Sequence, residues 1–235
     1  MKVAVLNFSG NVGKTTVAGQ LLMPRMKVEK LFSIESINSG ADADGIEVEK
    51  MKGKKFGELL NELMLTDDAI IDVGASNVED FLKLMQQYDG SQEEFDYFVV
   101  PVIKDGKVQS DTVRTIAALK QLGVPKSKIR MVFNKVETDD VISKDFAAMF
   151  GLAALEKSFV INENFVIYAN EAFELMKNVR KPLHDIVGDE TDYRARLREV
   201  KGTDEEQTCL RMISLKRLAS TVNKNLDDVF KVLFK

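Results

Sequence analysis

The sequence predicts a doubly wound α/β fold, a mostly parallel sheet with helices on both faces, followed by a C-terminal helical extension. Short apolar runs rich in β-branched residues alternate with segments of helical periodicity up to about residue 180. Such runs are typical of parallel strands buried on both faces. The length of 235 residues and the hydrophobic content of 45% suit one α/β domain with additions.

Six strands and six helices follow from this alternation. The strands are predicted at residues 2–7, 30–35, 69–73, 96–102, 130–134 and 158–161. The helices are predicted at 14–23, 53–64, 78–88, 108–122, 141–150 and 165–179, with Pro24 ending the first. Because the alternation stops near residue 180, we assign residues 1–190 to the α/β domain and 191–235 to a helical extension packed on or beside it.

Composition narrows the function classes. The net charge of −4, from 33 basic and 37 acidic residues, is not that of a protein that coats nucleic acid. The single cysteine, Cys209, excludes an internal disulfide and any C-x-x-C metal or iron–sulfur site, which favours a reducing cytoplasm. No secretory signal or membrane-spanning run is expected, because the first apolar stretch has four residues.

Residues 7–16 read Asn-Phe-Ser-Gly-Asn-Val-Gly-Lys-Thr-Thr, between the first predicted strand and helix. Glycines in such a turn let backbone N–H groups converge on phosphate oxygens, and a lysine adds a positive charge. The hydroxyl of Thr15 can ligate Mg²⁺, and the helix that follows directs its positive end to the same anion. We predict that a nucleoside triphosphate with Mg²⁺ is held by Ser9, Gly10, Asn11, Val12, Gly13, Lys14, Thr15 and Thr16.

This segment, the phosphate loop, resembles N-x-K-G-G-V-G-K-T-T, the deviant loop of the ParA/MinD family of P-loop ATPases. It departs from that pattern at Ser9 and Asn11, where the family has lysine and glycine. The resemblance implies a P-loop NTPase fold, ATP with Mg²⁺, and a catalytic Lys14. In the family the first lysine reaches the phosphates of a second subunit in a nucleotide-dependent homodimer. A serine has neither that reach nor that charge, so we expect hydrolysis that is slow or depends on a partner.

Asp72 ends the apolar run of residues 69–71 in the third predicted strand, and Gly74 follows that strand. They resemble the family's second phosphate motif, in which the aspartate holds Mg²⁺ through a water and the glycine N–H contacts the γ-phosphate. Because ligands of doubly wound sheets bind at the carboxyl ends of strands, Asp72 is expected near Thr15, as a catalytic and metal-binding residue. The alternative interpretation is an aspartate that caps a turn.

Asn134 and Lys135 close the fifth predicted strand and resemble the base-recognition position of the superfamily. An amide suits adenine N6 and N7. Glu137 completes Asn-Lys-Val-Glu, which is close to the Asn-Lys-x-Asp that reads guanine in GTPases, so GTP stays open beside the favoured ATP. A turn-forming asparagine is the alternative role for Asn134.

Glu35 ends the second predicted strand, where the family usually has an aspartate that orients the attacking water. Its carboxylate is the candidate for that catalytic role, with residues 38–45 as a nucleotide-sensing loop. The same residues also read as a solvated polar loop.

Two features lie beyond residue 180. A basic stretch with Arg194, Arg196, Arg198 and Lys201 reads as a solvated helix face, with weak non-specific DNA contact as the alternative. Apolar residues then recur at helical spacing at the C-terminus: Leu226, Val229, Phe230, Leu233 and Phe234. We expect that face to pack on the domain; a partner interface or, less favoured, membrane-surface contact are the alternatives.

The opening residues with Ser9, the Ile-Glu-Ser strand end at 34–36 and the segment 70–77 together resemble the StbB-type plasmid stability proteins, a ParA-like group. This resemblance implies an ATP-binding protein that acts with a plasmid-encoded DNA-binding partner in plasmid positioning, maintenance and conjugative transfer. Two other classes stay open: a non-hydrolysing nucleotide-dependent interaction module, which Ser9 favours, and a P-loop small-molecule kinase, for which no acceptor site can be located in the sequence.

Overall fold

The structure, a computed structural model, describes residues 1–28, 31–34, 48–51 (backbone only) and 56–235. Within these residues seven strands form one parallel sheet in the order β3-β2-β4-β1-β5-β6-β7. The strands are β1 Lys2–Val5, β2 Leu31–Ile34, β3 Val48–Met51, β4 Ala69–Val73, β5 Tyr97–Val102, β6 Ile129–Val136 and β7 Val166–Tyr168. The chain extends the sheet on one side of β1 before it fills the other, as in a doubly wound fold.

The first helix, α1, is a continuous run of three segments: Lys14–Thr16, Val17–Leu22, which is π-helical, and Met23–Met26. The helices that connect the later strands are α2 Phe56–Leu65, α3 Val78–Gln87, α4 Gly106–Gln121, α5 Ile142–Asp145 and α6 Ala147–Glu156. Those that follow β7 are α7 Ala172–Val179, α8 Leu183–Gly188, α9 Tyr193–Glu199 and α10 Glu205–Leu233.

The hydrophobic core has two layers because the strands bury both faces. On one face Ala4 and Ile71 pack with α2, α3, α4 and α6 through residues such as Phe81. On the other face Val3 and Val5 pack with α1, α7, α8 and α10. The predicted α/β class, with helices on both faces and a helical C-terminal segment, is confirmed.

Several elements differ from the sequence prediction. The helix predicted at 141–150 is two helices, α5 and α6, the second of which ends at Glu156. Residues 158–161 form a single bridge, Val160 to Arg130, and the seventh strand is Val166–Tyr168 instead. The helix predicted from residue 165 therefore begins at Ala172. Strand β3 was not predicted at all.

Pro24 does not end the first helix. A proline lacks the N–H that a helix interior needs. Here Arg25 Nη1 donates to the carbonyls of Gln20 (2.9 Å) and Leu21 (3.2 Å), within the π-helical turn that precedes it. The run consequently continues to Met26.

The C-terminal helix α10 packs on the sheet. Leu226, Val229 and Leu233 are buried in the same cluster as Val5, as expected for this face. Asn225 accepts a hydrogen bond from the Tyr168 N–H and donates to Val166 O, so α10 also covers the open edge of β7. The division of the chain at residue 190 stays a prediction. In the described part of the chain, no helix has the length and apolar character needed to span a bilayer.

Candidate nucleotide-binding site

The phosphate loop turns sharply at two residues with left-handed backbone conformation. Asn11 has φ 56° and Gly13 has φ 85°. Asparagine is among the side chains that tolerate this region best, which explains how a residue other than glycine fits at position 11. At Gly13 a Cβ atom would lie 2.0 Å from Asn134 Nδ2, so both conformation and packing require glycine there.

Asn7 anchors the start of the phosphate loop. Its fully buried amide donates to Pro101 O (2.9 Å) and Thr112 Oγ1 (2.8 Å), and its Oδ1 accepts from the Ser9 N–H (2.8 Å). The loop is thus held between β5 and α4. Sequence reasoning missed this role, although Asn7 is the first letter of the motif.

Lys14 extends across the phosphate loop. Its side chain is 8% exposed, and its Nζ donates to Ser9 O at 2.7 Å, five residues earlier. A buried ammonium on a loop of this kind is suited to an anionic ligand, because burial strengthens charge interactions. The predicted role of Lys14 therefore has a suitable geometry.

Thr15 and Asp72, 57 residues apart in the chain, meet at the ends of the phosphate loop and β4. Thr15 Oγ1 donates to Asp72 Oδ2 at 2.6 Å, and Asp72 is 1% exposed. A hydroxyl and a carboxylate are hard oxygen ligands, the kind that Mg²⁺ prefers together with water and phosphate oxygens. The donor set present at this point fits Mg²⁺.

Two side chains at the end of β6 form hydrogen bonds with the phosphate loop. Asn134 Nδ2 donates to Val12 O (2.8 Å), and Lys135 Nζ donates to Asn11 O (2.9 Å) and Oδ1 (3.0 Å). The register of β6 against β7 shifts between Phe133 and Val136, which is how a bulge redirects side chains. Burial, followed by the charge of Lys177, lowers the pKa of Lys135.

A cavity of about 320 Å³ opens beside the phosphate loop. Three groups of residues line it: Gly13 and Thr16 from the loop, Lys135 and Glu137 at the end of β6, and Asn170 and Phe173 after β7. Its polar rim and aromatic wall suit a nucleobase and ribose. A larger cavity of about 680 Å³, between α7 and α10, has none of the predicted site residues in its lining.

Ser9 forms a hydrogen bond with helix α4 of the same chain. Its Oγ donates to Asp111 Oδ2 at 2.7 Å, and the side chain is 7% exposed. Arg114, on the same helix, contacts Asp111 (3.4 Å) and lies 5.3 Å from the Phe8 ring centroid. Asp111 was not singled out in the sequence, because nothing local links it to a loop 102 residues away.

Of the two remaining predicted site residues, Gly74 and Glu35, the structure describes only Gly74. The Gly74 N–H donates to Ile34 O at 2.9 Å, so this N–H is engaged within the sheet, and its γ-phosphate contact stays a prediction that requires this bond to open. Glu35 and the loop 38–45 lie outside the described residues.

Solved structures of P-loop ATPases share this fold. The MinC:MinD cell division protein complex of Aquifex aeolicus matches with TM-score 0.56 and 13% identity, over 93% of this chain and 95% of that one. The cell division ATPase MinD of Pyrococcus furiosus matches with TM-score 0.55 and 11% identity, over 92% and 98%. The structure of pnob8 ParA matches with TM-score 0.51 and 12% identity, over 98% of each chain.

At these identities the likeness defines the fold, which is that of the MinD and ParA P-loop NTPases. No protein-family model matches the sequence. No curated protein matches it either.

Proposed function

We propose that this protein is a ParA/MinD-like ATPase, which binds ATP with Mg²⁺ and hydrolyses it slowly or under stimulation by a partner. The contact between Thr15 and Asp72 carries this proposal, because it brings the predicted magnesium ligands to 2.6 Å beside a loop crossed by Lys14.

Each group has a defined task in this mechanism. The N–H groups of the phosphate loop and Lys14 bind the β- and γ-phosphates, while Thr15 and Asp72 hold the metal. Bound Mg²⁺ supplies neutralisation of the phosphate charge. Asn134 Oδ1 accepts from adenine N6 in the adjoining cavity, and Glu35 orients the attacking water.

Replacement of Asp72 tests the metal site. We expect Asp72→Ala to keep most of the metal-free ATP affinity and to lose the increment that Mg²⁺ adds, because the carboxylate contributes to binding through the ion. Titration of a fluorescent ATP analogue with Mg²⁺ and with EDTA measures both quantities, and competition by ATP and GTP identifies the base. An unchanged Mg²⁺ increment in the variant would mean that Asp72 only caps a turn.

The Ser9–Asp111 hydrogen bond supports weak assembly of a nucleotide-dependent homodimer. We expect Ser9→Lys to strengthen ATP-dependent dimerisation modestly, because the new ammonium pairs first with the Asp111 carboxylate of its own chain. Ser9→Lys combined with Asp111→Asn frees the lysine for phosphates of a second subunit and is expected to dimerise more tightly.

Light scattering with a non-hydrolysable ATP analogue measures this assembly, and Asp111→Asn alone is the matched control. A wild-type chain that already forms a tight ATP-dependent dimer would contradict the role given to Ser9.

We further propose that the protein acts in the cytoplasm with a plasmid-encoded DNA-binding protein, in plasmid stability, positioning and conjugative transfer. The resemblance of the phosphate loop and of residues 70–77 to StbB-type proteins supports this assignment. Weak DNA contact would fall to Arg194 and Arg198 of α9, since Arg196 pairs with Glu205 at 2.8 Å.

The Ser9–Asp111 contact also favours a second function, a module in which bound nucleotide controls interactions without turnover. Phosphate release, measured with and without the DNA-binding partner, separates the two. Release that rises with the partner supports the ATPase, whereas nucleotide binding with no release under either condition supports the module.

A further inference from the structure

We propose a second anion site at the edge of the sheet opposite the phosphate loop, formed by Arg130 and Ser158 and suited to a small oxyanion. Arg130 is the second residue of β6, and Asn134 lies four residues further along the strand. At about 3.3 Å per residue the two are about 13 Å apart. The proposed site is therefore separate from the nucleotide site and independent of its function.

Arg130 is buried, and its Nε lacks an acceptor among the described residues. Its side chain is 6% exposed, and in the described part of the chain its Nε has no hydrogen-bond partner and its guanidinium forms no ion pair. The guanidinium carbon lies 5.2 Å from the centroid of the Tyr97 ring, and the same ring packs at 4.6 Å on Phe234. This stacking holds the planar donor fork in one orientation.

Ser158 adds a second donor without a partner. It is 7% exposed, and its Oγ is shielded from solvent with no hydrogen-bond partner among the described residues. Val160, two residues later, is paired with Arg130 in the sheet. Buried polar groups are nearly always paired, so two such donors without an acceptor, on segments that this bridge joins, indicate a missing acceptor.

The chain's own carboxylates near the start of β5 are engaged elsewhere. Asp96 Oδ2 accepts from the Lys2 N–H at 2.7 Å, and Glu94 pairs with Lys2 Nζ at 3.6 Å. An external carboxylate or phosphate group would accept from the guanidinium fork and the Ser158 hydroxyl together, which is the pairing that arginine geometry favours. We therefore assign the site to a small molecule that carries such a group.

NMR of the arginine side chains tests the proposal directly. Protein labelled with ¹⁵N-arginine is titrated with inorganic phosphate and with acetate at constant ionic strength set by chloride. The Nε–Hε signal of Arg130, identified by its loss in Arg130→Lys, is expected to shift saturably, while that of Arg25 stays fixed. The response to phosphate compared with acetate distinguishes the two kinds of oxyanion.

Two variants sharpen the result. Titrations are repeated in Lys14→Ala, which removes phosphate binding at the nucleotide site and is expected to leave the Arg130 response intact. Ser158→Ala is expected to lower the anion affinity, measured from the Arg130 signal, by about fivefold to tenfold, because one hydrogen bond is lost. An Arg130 signal that does not respond to either anion, or that responds equally to chloride, would overturn the proposal.

Discussion

Gly13 is the residue that constrains the phosphate loop most tightly. It combines a left-handed φ of 85° with a position where any Cβ would collide with the Asn134 amide. Gly10 has neither constraint, since a Cβ there would meet no atom within 4 Å. The structure therefore requires glycine at position 13 but not at position 10, a difference that the sequence motif alone does not show.

Substitution by alanine separates these tasks. We expect Gly13→Ala to destabilise the protein by about 1–3 kcal/mol and to reduce ATP affinity at least tenfold, because strained backbone and the displaced Asn134 distort the loop. Gly10→Ala is the matched control and is expected to leave the thermal unfolding midpoint nearly unchanged. Equal midpoints for both variants would show that Gly13 is not constrained as described.

The position and the turn of the phosphate loop could be predicted from the sequence, because its glycines and Lys14 reflect local requirements of backbone conformation and charge. Asn7, Asp111 and the Thr15–Asp72 contact could not be predicted with the same precision. Their partners lie between 57 and about 105 residues away in the chain, so only the folded sheet brings them together.

At the scale of elements, α1 and α10 are joined by one side chain. Arg25 donates to Asp227 Oδ1 (2.9 Å) and to Asn223 O (3.1 Å) and Oδ1 (2.9 Å). Burial is the main cause that lowers the pKa of Arg25, and the charge of Asp227 opposes this shift. The helix that begins in the phosphate loop is thereby tied to the C-terminal helix.

Removal of this link should reduce stability. We expect Arg25→Met to lower the free energy of unfolding by roughly 1–3 kcal/mol, mainly from buried carbonyls left without donors, since Asp227 is partly solvated. Lys231→Ala, which removes the exposed ion pair with Asp228 on the same helix, is the control and is expected to have little effect. Denaturant unfolding compares them, and equal losses would contradict the link.

Element boundaries followed the sequence where one pattern dominated and failed where two patterns met. Strand β4 was predicted at residues 69–73 and is found there, because the apolar run has two aspartates before it and the turn-forming Gly74 after it. Strand β7 was absorbed into a predicted helix, since Val166–Tyr168 is too short to show its own period before the helical pattern begins. Its pairing with β6 and its cover by Asn225 decide its conformation.

For the whole molecule, the doubly wound topology places the phosphate loop, the end of β4 and the end of β6 at one edge of the sheet. This convergence follows from parallel strands and right-handed connections, which is why fold class and the general location of the site were predictable. The choice of partner and the rate of hydrolysis depend on surface residues and on association between chains, which the motifs and hydrophobic periodicity of the sequence do not report.

The central claim, that this edge binds ATP, is tested most directly by equilibrium binding to Lys14→Ala. Saturable binding of a fluorescent ATP analogue with Mg²⁺ is expected for the wild type and for Lys107→Ala, an exposed lysine used as control. For Lys14→Ala we expect an affinity loss of at least about a hundredfold with a retained cooperative unfolding transition, because the ammonium that crosses the loop is removed. Unchanged affinity in Lys14→Ala would contradict the account.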